Sequence, residues 1–181
     1  MTRYFSGDGY GLVSGLVLAL LPADTEISQL NRLWDGLSGQ PELTDLLQAL
    51  TSQRSKTWPG WPAFALVMRE DNGGLRLVVR GACQVRVTTA TGEQVFDGRS
   101  VTTWREDTVS EPLRVCLTAV DGPVGGDGLP VACGIVRTSR LETDWLETDW
   151  TGEPLQRSAA KPSQAAVKPA LDEPAFVVKP V

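Results

Sequence analysis

Three cysteines, a glycine-rich acidic loop and a set of arginines are the side chains in this sequence whose types invite chemistry. Cys83, Cys116 and Cys133 lie 33 and 17 residues apart, with no Cys-x-x-Cys pair. The chain has no histidine. A zinc site would therefore need four thiolates or carboxylate help, and nucleophilic catalysis would lack the commonest base near neutral pH. All three cysteines fall in apolar, strand-like runs, so they read as small buried hydrophobes in a reducing compartment. No metal is expected.

The loop Asp121–Gly128 (DGPVGGDG) has the glycines of a phosphate cradle. Such a cradle needs a helix starting at once and a nearby lysine. Here the strand-like LPVACGIV follows and no lysine is close, so a long hairpin loop is expected. Calcium binding through Asp121 and Asp127 would need more oxygen ligands at regular spacing. Serines and threonines occur without Gly-x-Ser-x-Gly context and with no histidine to act as their base, so the chain is expected not to be an enzyme and to carry no cofactor. Arg76, Arg80, Arg86, Arg105 and Arg114 are the candidate surface for an anionic ligand or acidic partner, on the expectation that they share one wet sheet face. Trp58 and Trp61, within WPGWP, either form an aromatic platform or clasp the chain where it returns to the sheet; the clasp is favoured.

The elements that would position these residues are mostly strands. Phe64–Ala119 is a run of short apolar segments broken by Asn72-Gly73-Gly74, Thr91-Gly92 and Asp97-Gly98. Breaks of this kind signal antiparallel hairpins. Leu75, Leu77 and Val79 alternate with Arg76 and Arg80, as Cys83, Val85 and Val87 do with Gln84 and Arg86. Leu113, Val115 and Leu117 are expected to face inward in the next strand, and Val131–Arg137 to close the sheet. Upstream, Gly15–Leu21 reads as a buried strand ended by Pro22. Glu26–Leu37, capped by Asp24 or Thr25, and the segment after Pro41 carry leucines at helical spacing and predict a helical hairpin packed on the sheet. The fold class is thus α+β: an antiparallel β-meander forming a roll or sandwich, an N-terminal buried strand and one two-helix hairpin.

Residues 1–11 are expected to be a loose lead-in and 12–150 a single domain. The stretch 151–181 has five prolines, many alanines and a charge of +1, leaving −6 on the body, and reads as a disordered tether. With 41% hydrophobic and 22% charged residues the composition is globular, and the net charge of −5 argues against nucleic acid. The ten mostly apolar residues Leu12–Leu21 are too few to span a bilayer as a helix. With only Arg3 ahead of them they make a poor signal peptide, so a cytoplasmic location is expected. LETDW occurs twice in succession within Leu141–Trp150, and Trp145 and Trp150 cannot share one face of a strand.

The segments LVLALLP, ISQLNRLWDGL, PELTDLLQAL, FALVMRED, LRLVVRGACQVRV, SVTTWRED and LPVACGIVRTSRLE, followed by a Pro/Ala tail, resemble the N-terminal accessory region of actinobacterial proteins that carry a forkhead-associated (FHA) domain further along. The resemblance covers about Gly11–Trp145. It implies a protein-binding accessory module, or scaffold, that a tether joins to a phosphothreonine reader in signalling. Phosphopeptide binding is not implied for this chain. The FHA recognition histidine has no counterpart here, and Asp97-Gly98-Arg99-Ser100 mimics only a fragment of that motif. Punctuation by Gly81, Gly92 and Gly98 is also similar to cupin and cyclic-nucleotide-binding rolls, whose metal histidines and Gly-Glu…Arg cassette are missing. The expected function is a non-enzymatic protein-interaction or regulatory accessory module of a bacterial signalling protein. The alternative is a small-ligand-sensing β-roll that binds an anionic metabolite at an arginine rim.

Overall fold

A computed structural model describes residues 1–37, 41–51, 61–119 and 126–145. Two antiparallel six-stranded sheets stack face to face, and a helical hairpin covers the back of one of them. The strands are β1 (Thr2–Phe5), β2 (Tyr10–Val13), β3 (Val17–Leu21), β4 (Phe64–Arg69), β5 (Leu75–Arg80), β6 (Cys83–Thr89), β7 (Gly92–Asp97), β8 (Arg105–Val109), β9 (Pro112–Ala119), β10 (Leu129–Pro130), β11 (Gly134–Arg137) and β12 (Arg140–Asp144). The front sheet runs β10-β1-β12-β9-β6-β7 and the back sheet β11-β2-β3-β4-β5-β8. The fold is an α+β sandwich.

Period-two patterning decides which side chains fill the space between the sheets. Leu75, Leu77 and Val79 of β5 point inward with Val85 and Val87 of β6, Val115 and Leu117 of β9 and Leu141 of β12. The back sheet is apolar on both faces because a second layer covers it. Leu12, Val17, Ala19, Phe64, Leu66 and Val78 point outward and meet Leu30, Leu33, Leu46 and Leu50 of helices α1 (Ile27–Gly36) and α2 (Leu43–Thr51). Gln29 fixes the hairpin from within: its buried amide donates to the Leu50 carbonyl at 3.1 Å. Neither Asp24 nor Thr25 caps α1. Glu26 occupies the cap position without a side-chain bond, and the Thr25 hydroxyl donates to the Pro22 carbonyl instead.

Several expectations require correction. Residues 1–11 are not a loose lead-in: β1 pairs with both β10 and β12, and β2 with β3 and β11. Glycines in this stretch serve close packing; a Cβ on Gly7 would sit 2.4 Å from the Ser139 nitrogen. The segment after Val131 forms only an edge strand, β11, whereas β12 is inserted between β1 and β9. Leu113 does not face inward but is exposed, while Pro112 is buried. A register shift at Thr88/Thr89, which brings Thr89 opposite Pro112, breaks the alternation there. No helix among the described residues is long and apolar enough to cross a membrane. The expected 151–181 tether, the second LETDW copy, residues 121–125 of the acidic loop and Trp58 lie outside the described residues.

Candidate binding site

The five arginines do not share a face. Arg76 and Arg80 flank Val78 on the helix side of the back sheet, and Arg105 turns the other way, with its guanidinium 4.8 Å from the centre of the Phe96 ring. Arg86 and Arg114 stand on the outer face of the front sheet. Four of the five are neutralised locally: Arg76 by Glu70 and Glu106, Arg86 by Glu93, Arg105 by Asp107, and Arg114 by Glu142 and Asp144. Arg80 instead holds backbone, donating to the carbonyls of Trp61, Thr102 and Thr103. The physical reason is topological, since consecutive hairpins cross between sheets and a sequence-level row of arginines is split by each crossing. An anion-receiving surface built from all five is therefore absent.

Trp61 is half-buried in a clasp. Its ring lies 5.3 Å from that of Trp104, and Arg80 sits 5.6 Å over it, pinning the segment before β4 to the loop before β8.

The two ends of the sandwich differ. At one end Trp145 is fully buried; its indole N–H donates to the Gly73 carbonyl at 3.1 Å and Arg69 lies 5.7 Å over its ring. At the other end the sheets leave a cavity of about 240 Å³. Its walls are the end of β3 (Leu21, Pro22, Ala23), the approaches to β4 and β6 (Ala63, Ala82, Cys83), the end of β9 (Ala119), Ser139, and Asp8 with Gly9. Small side chains at converging strand ends hold this mouth open. Burial pushes the Cys83 thiol up to about 12, so this wall is a neutral, apolar one. Sequence reasoning missed this site. A carboxylate between two glycines gives no spacing signal, and alanines scattered over the chain declare nothing until the strands bring them together.

The edges form the other candidate surface. β7 is hydrogen-bonded to β6 alone and is the longest of the four outer strands, at six residues against five, four and two for β8, β11 and β10. Its ladder with β6 runs without a register shift. Gly98 N–H donates to the Cys83 carbonyl at 3.0 Å, which fixes the phase of the ladder. Gly92, Gln94 and Phe96 thus direct their backbone groups to β6, while Glu93 and Val95 direct theirs outward. Val95 is 45% exposed.

Of the cysteines, Cys83 is buried, Cys116 is half-buried on the outer front face and Cys133 is exposed; all three are free thiols. Only Cys83 is thus the buried hydrophobe expected of all three. Among the described residues no group of three His, Cys, Asp or Glu is placed to hold a metal ion. No family model matches the chain, and no curated protein or solved structure matches it.

Proposed function

We propose that this protein is a non-enzymatic interaction module that captures an extended segment of a partner protein by adding it as a further strand to β7. The observation that carries the proposal is the state of that edge. Sandwich proteins blunt long edge strands with lysine, proline, bulges or a covering element. β10 is two residues long and contains Pro130, whereas β7 (GEQVFD) has no lysine, proline or register shift, and no described strand covers it. A row of outward N–H and C=O groups beside a half-exposed valine is the template that strand addition uses. An incoming strand would place an apolar side chain next to Val95 and its backbone against Glu93 and Val95. The resemblance to accessory regions of FHA proteins adds a setting, a regulatory part of a bacterial signalling protein acting in the cytoplasm, with residues 151–181 as the tether.

Selecting peptides from a random extended library on the full-length protein, then mapping them by amide NMR shifts, tests this. Binders should map to β7, and Val95→Pro, which removes an outward N–H without touching the β6 ladder, should weaken them at least about tenfold, the loss of one or two main-chain bonds. Peptides that map elsewhere, or that ignore the proline, contradict the proposal. So does sedimentation showing that the edge is already occupied by a second copy of the chain.

A second reading, small-ligand sensing, is favoured by the cavity at the open end. Its described lining contains a carboxylate and no arginine, so the anionic metabolite expected from the arginines is the wrong chemistry for it.

A further inference from the structure

The geometry points to the cavity at the open end as a binding site for a small organic cation, an ammonium group on a compact apolar body. Three features carry this. First, the size fits: an engineered apolar cavity of about 150 Å³ takes up benzene, and this one, at about 240 Å³, has room for a ring plus a short chain. Second, the walls are apolar and small. Ala63, Ala119 and the neutral Cys83 thiol offer contact area without competing hydrogen bonds, and such a lining with few polar groups is the pattern of ligand pockets.

Third, the charge at the rim is negative and uncommitted. The Asp8 carboxylate is exposed and has no ion pair or hydrogen bond with any described residue, so its charge is available to a ligand at the rim. The Ser139 hydroxyl, which donates to the Ser6 carbonyl, adds a second oxygen to the same lining. An ammonium on an apolar body would place its charge on Asp8 and its body between the sheets. A carboxylate or phosphate ligand would meet Asp8 as a like charge, and the net charge of −5 further favours cations over anions in the approach. The site is separate from the β7 edge, so it stands or falls independently of strand capture.

Three isosteric probes on the full-length protein test the assignment: phenethylamine, phenethyl alcohol and phenylacetate, each titrated against backbone amide NMR signals. The expected result is saturable shifts at Ala63, Ala82, Cys83 and Ala119 with the amine, about three- to tenfold weaker binding of the alcohol, as for an exposed charge-assisted contact, and still weaker binding of the acid. Asp8→Asn should bring amine and alcohol to equal affinity. Ala23→Trp, at an exposed position on the rim, should occlude the mouth and abolish shifts by all three while the rest of the spectrum is kept. Equal binding of the three probes, preference for the acid, or shifts that persist in the Ala23→Trp protein would each overturn the proposal.

Discussion

The sandwich is finished at one end by a single large side chain and at the other by a ring of small ones. At the closed end, β4 and β5 turn at Gly73 and β12 runs out into Trp145, whose indole fills the gap between the sheets and satisfies its own N–H on that turn. At the open end the strands converge through Gly9, Ala63, Ala82 and Ala119, none of which reaches across. The closed end therefore stores packing energy, while the open end exchanges it for a vacancy that other molecules can enter. Both ends are continuous with the same core, so the difference lies in the residues and not in the backbone design.

The largest effect that would sharpen this contrast is at the closed end. Trp145→Ala should cost about 3–5 kcal/mol in urea unfolding, the usual range for deleting a fully buried aromatic; a loss below about 1 kcal/mol would mean the tryptophan does not seal the core. At the open end Cys83 gives the next largest signal. Exposed Cys133 should react with a thiol reagent at least about a hundredfold faster than Cys83, whose thiol is shielded and held protonated. Its raised value also gives the sign of an alkaline effect: the stability from keeping Cys83 neutral is complete below 9.0 and is lost as pH rises toward about 12. Comparable labelling rates would break the assignment of Cys83 to an enclosed wall.

Gly81 comes third. Its φ of +64° is left-handed, and a Cβ there would sit 2.7 Å from the Ala63 Cβ. Gly81→Val should therefore cost about 1–3 kcal/mol in the same unfolding assay, and no change would show that Gly81 is not held against Ala63 at the open end. The smallest effect is in acid. The Arg99 side chain, first among its causes, holds the Asp97 carboxyl below the ordinary value of 3.8. A lowered value stabilises above the ordinary one, so this contribution should fade as pH falls below 3.8, and Asp97→Asn should flatten that part of the pH–stability curve.

Much of the sandwich was legible in the sequence because hairpins announce themselves. Asn72-Gly73-Gly74 and Thr91-Gly92 close hairpins where expected, whereas the chain after Asp97-Gly98 crosses to β8 in the other sheet; alternation in β5 and β6 separates core from surface. Among the strands that were missed, β2 fell partly in the stretch expected to be loose, and β1 and β12 are built from TRYF and RLETD, in which charge obscures the alternation and long-range pairing supplies the stability. The placement of the arginines was illegible for a related reason. Alternation says which residues share a face within one strand, but not to which of two sheets the next strand belongs. The cavity was hidden more deeply still, because its lining comes from six separate points of the chain, most of them residues too small to carry a pattern.

Hydrogen exchange at β7 in the full-length protein alone tests the central claim most directly. An open edge predicts alternation along the strand: fast exchange at Glu93 and Val95, slow exchange at Gln94 and Phe96, with the first pair becoming protected only when a strand-forming peptide is added. Protection of Glu93 and Val95 in the free protein would show that the edge is already paired, and would contradict the account.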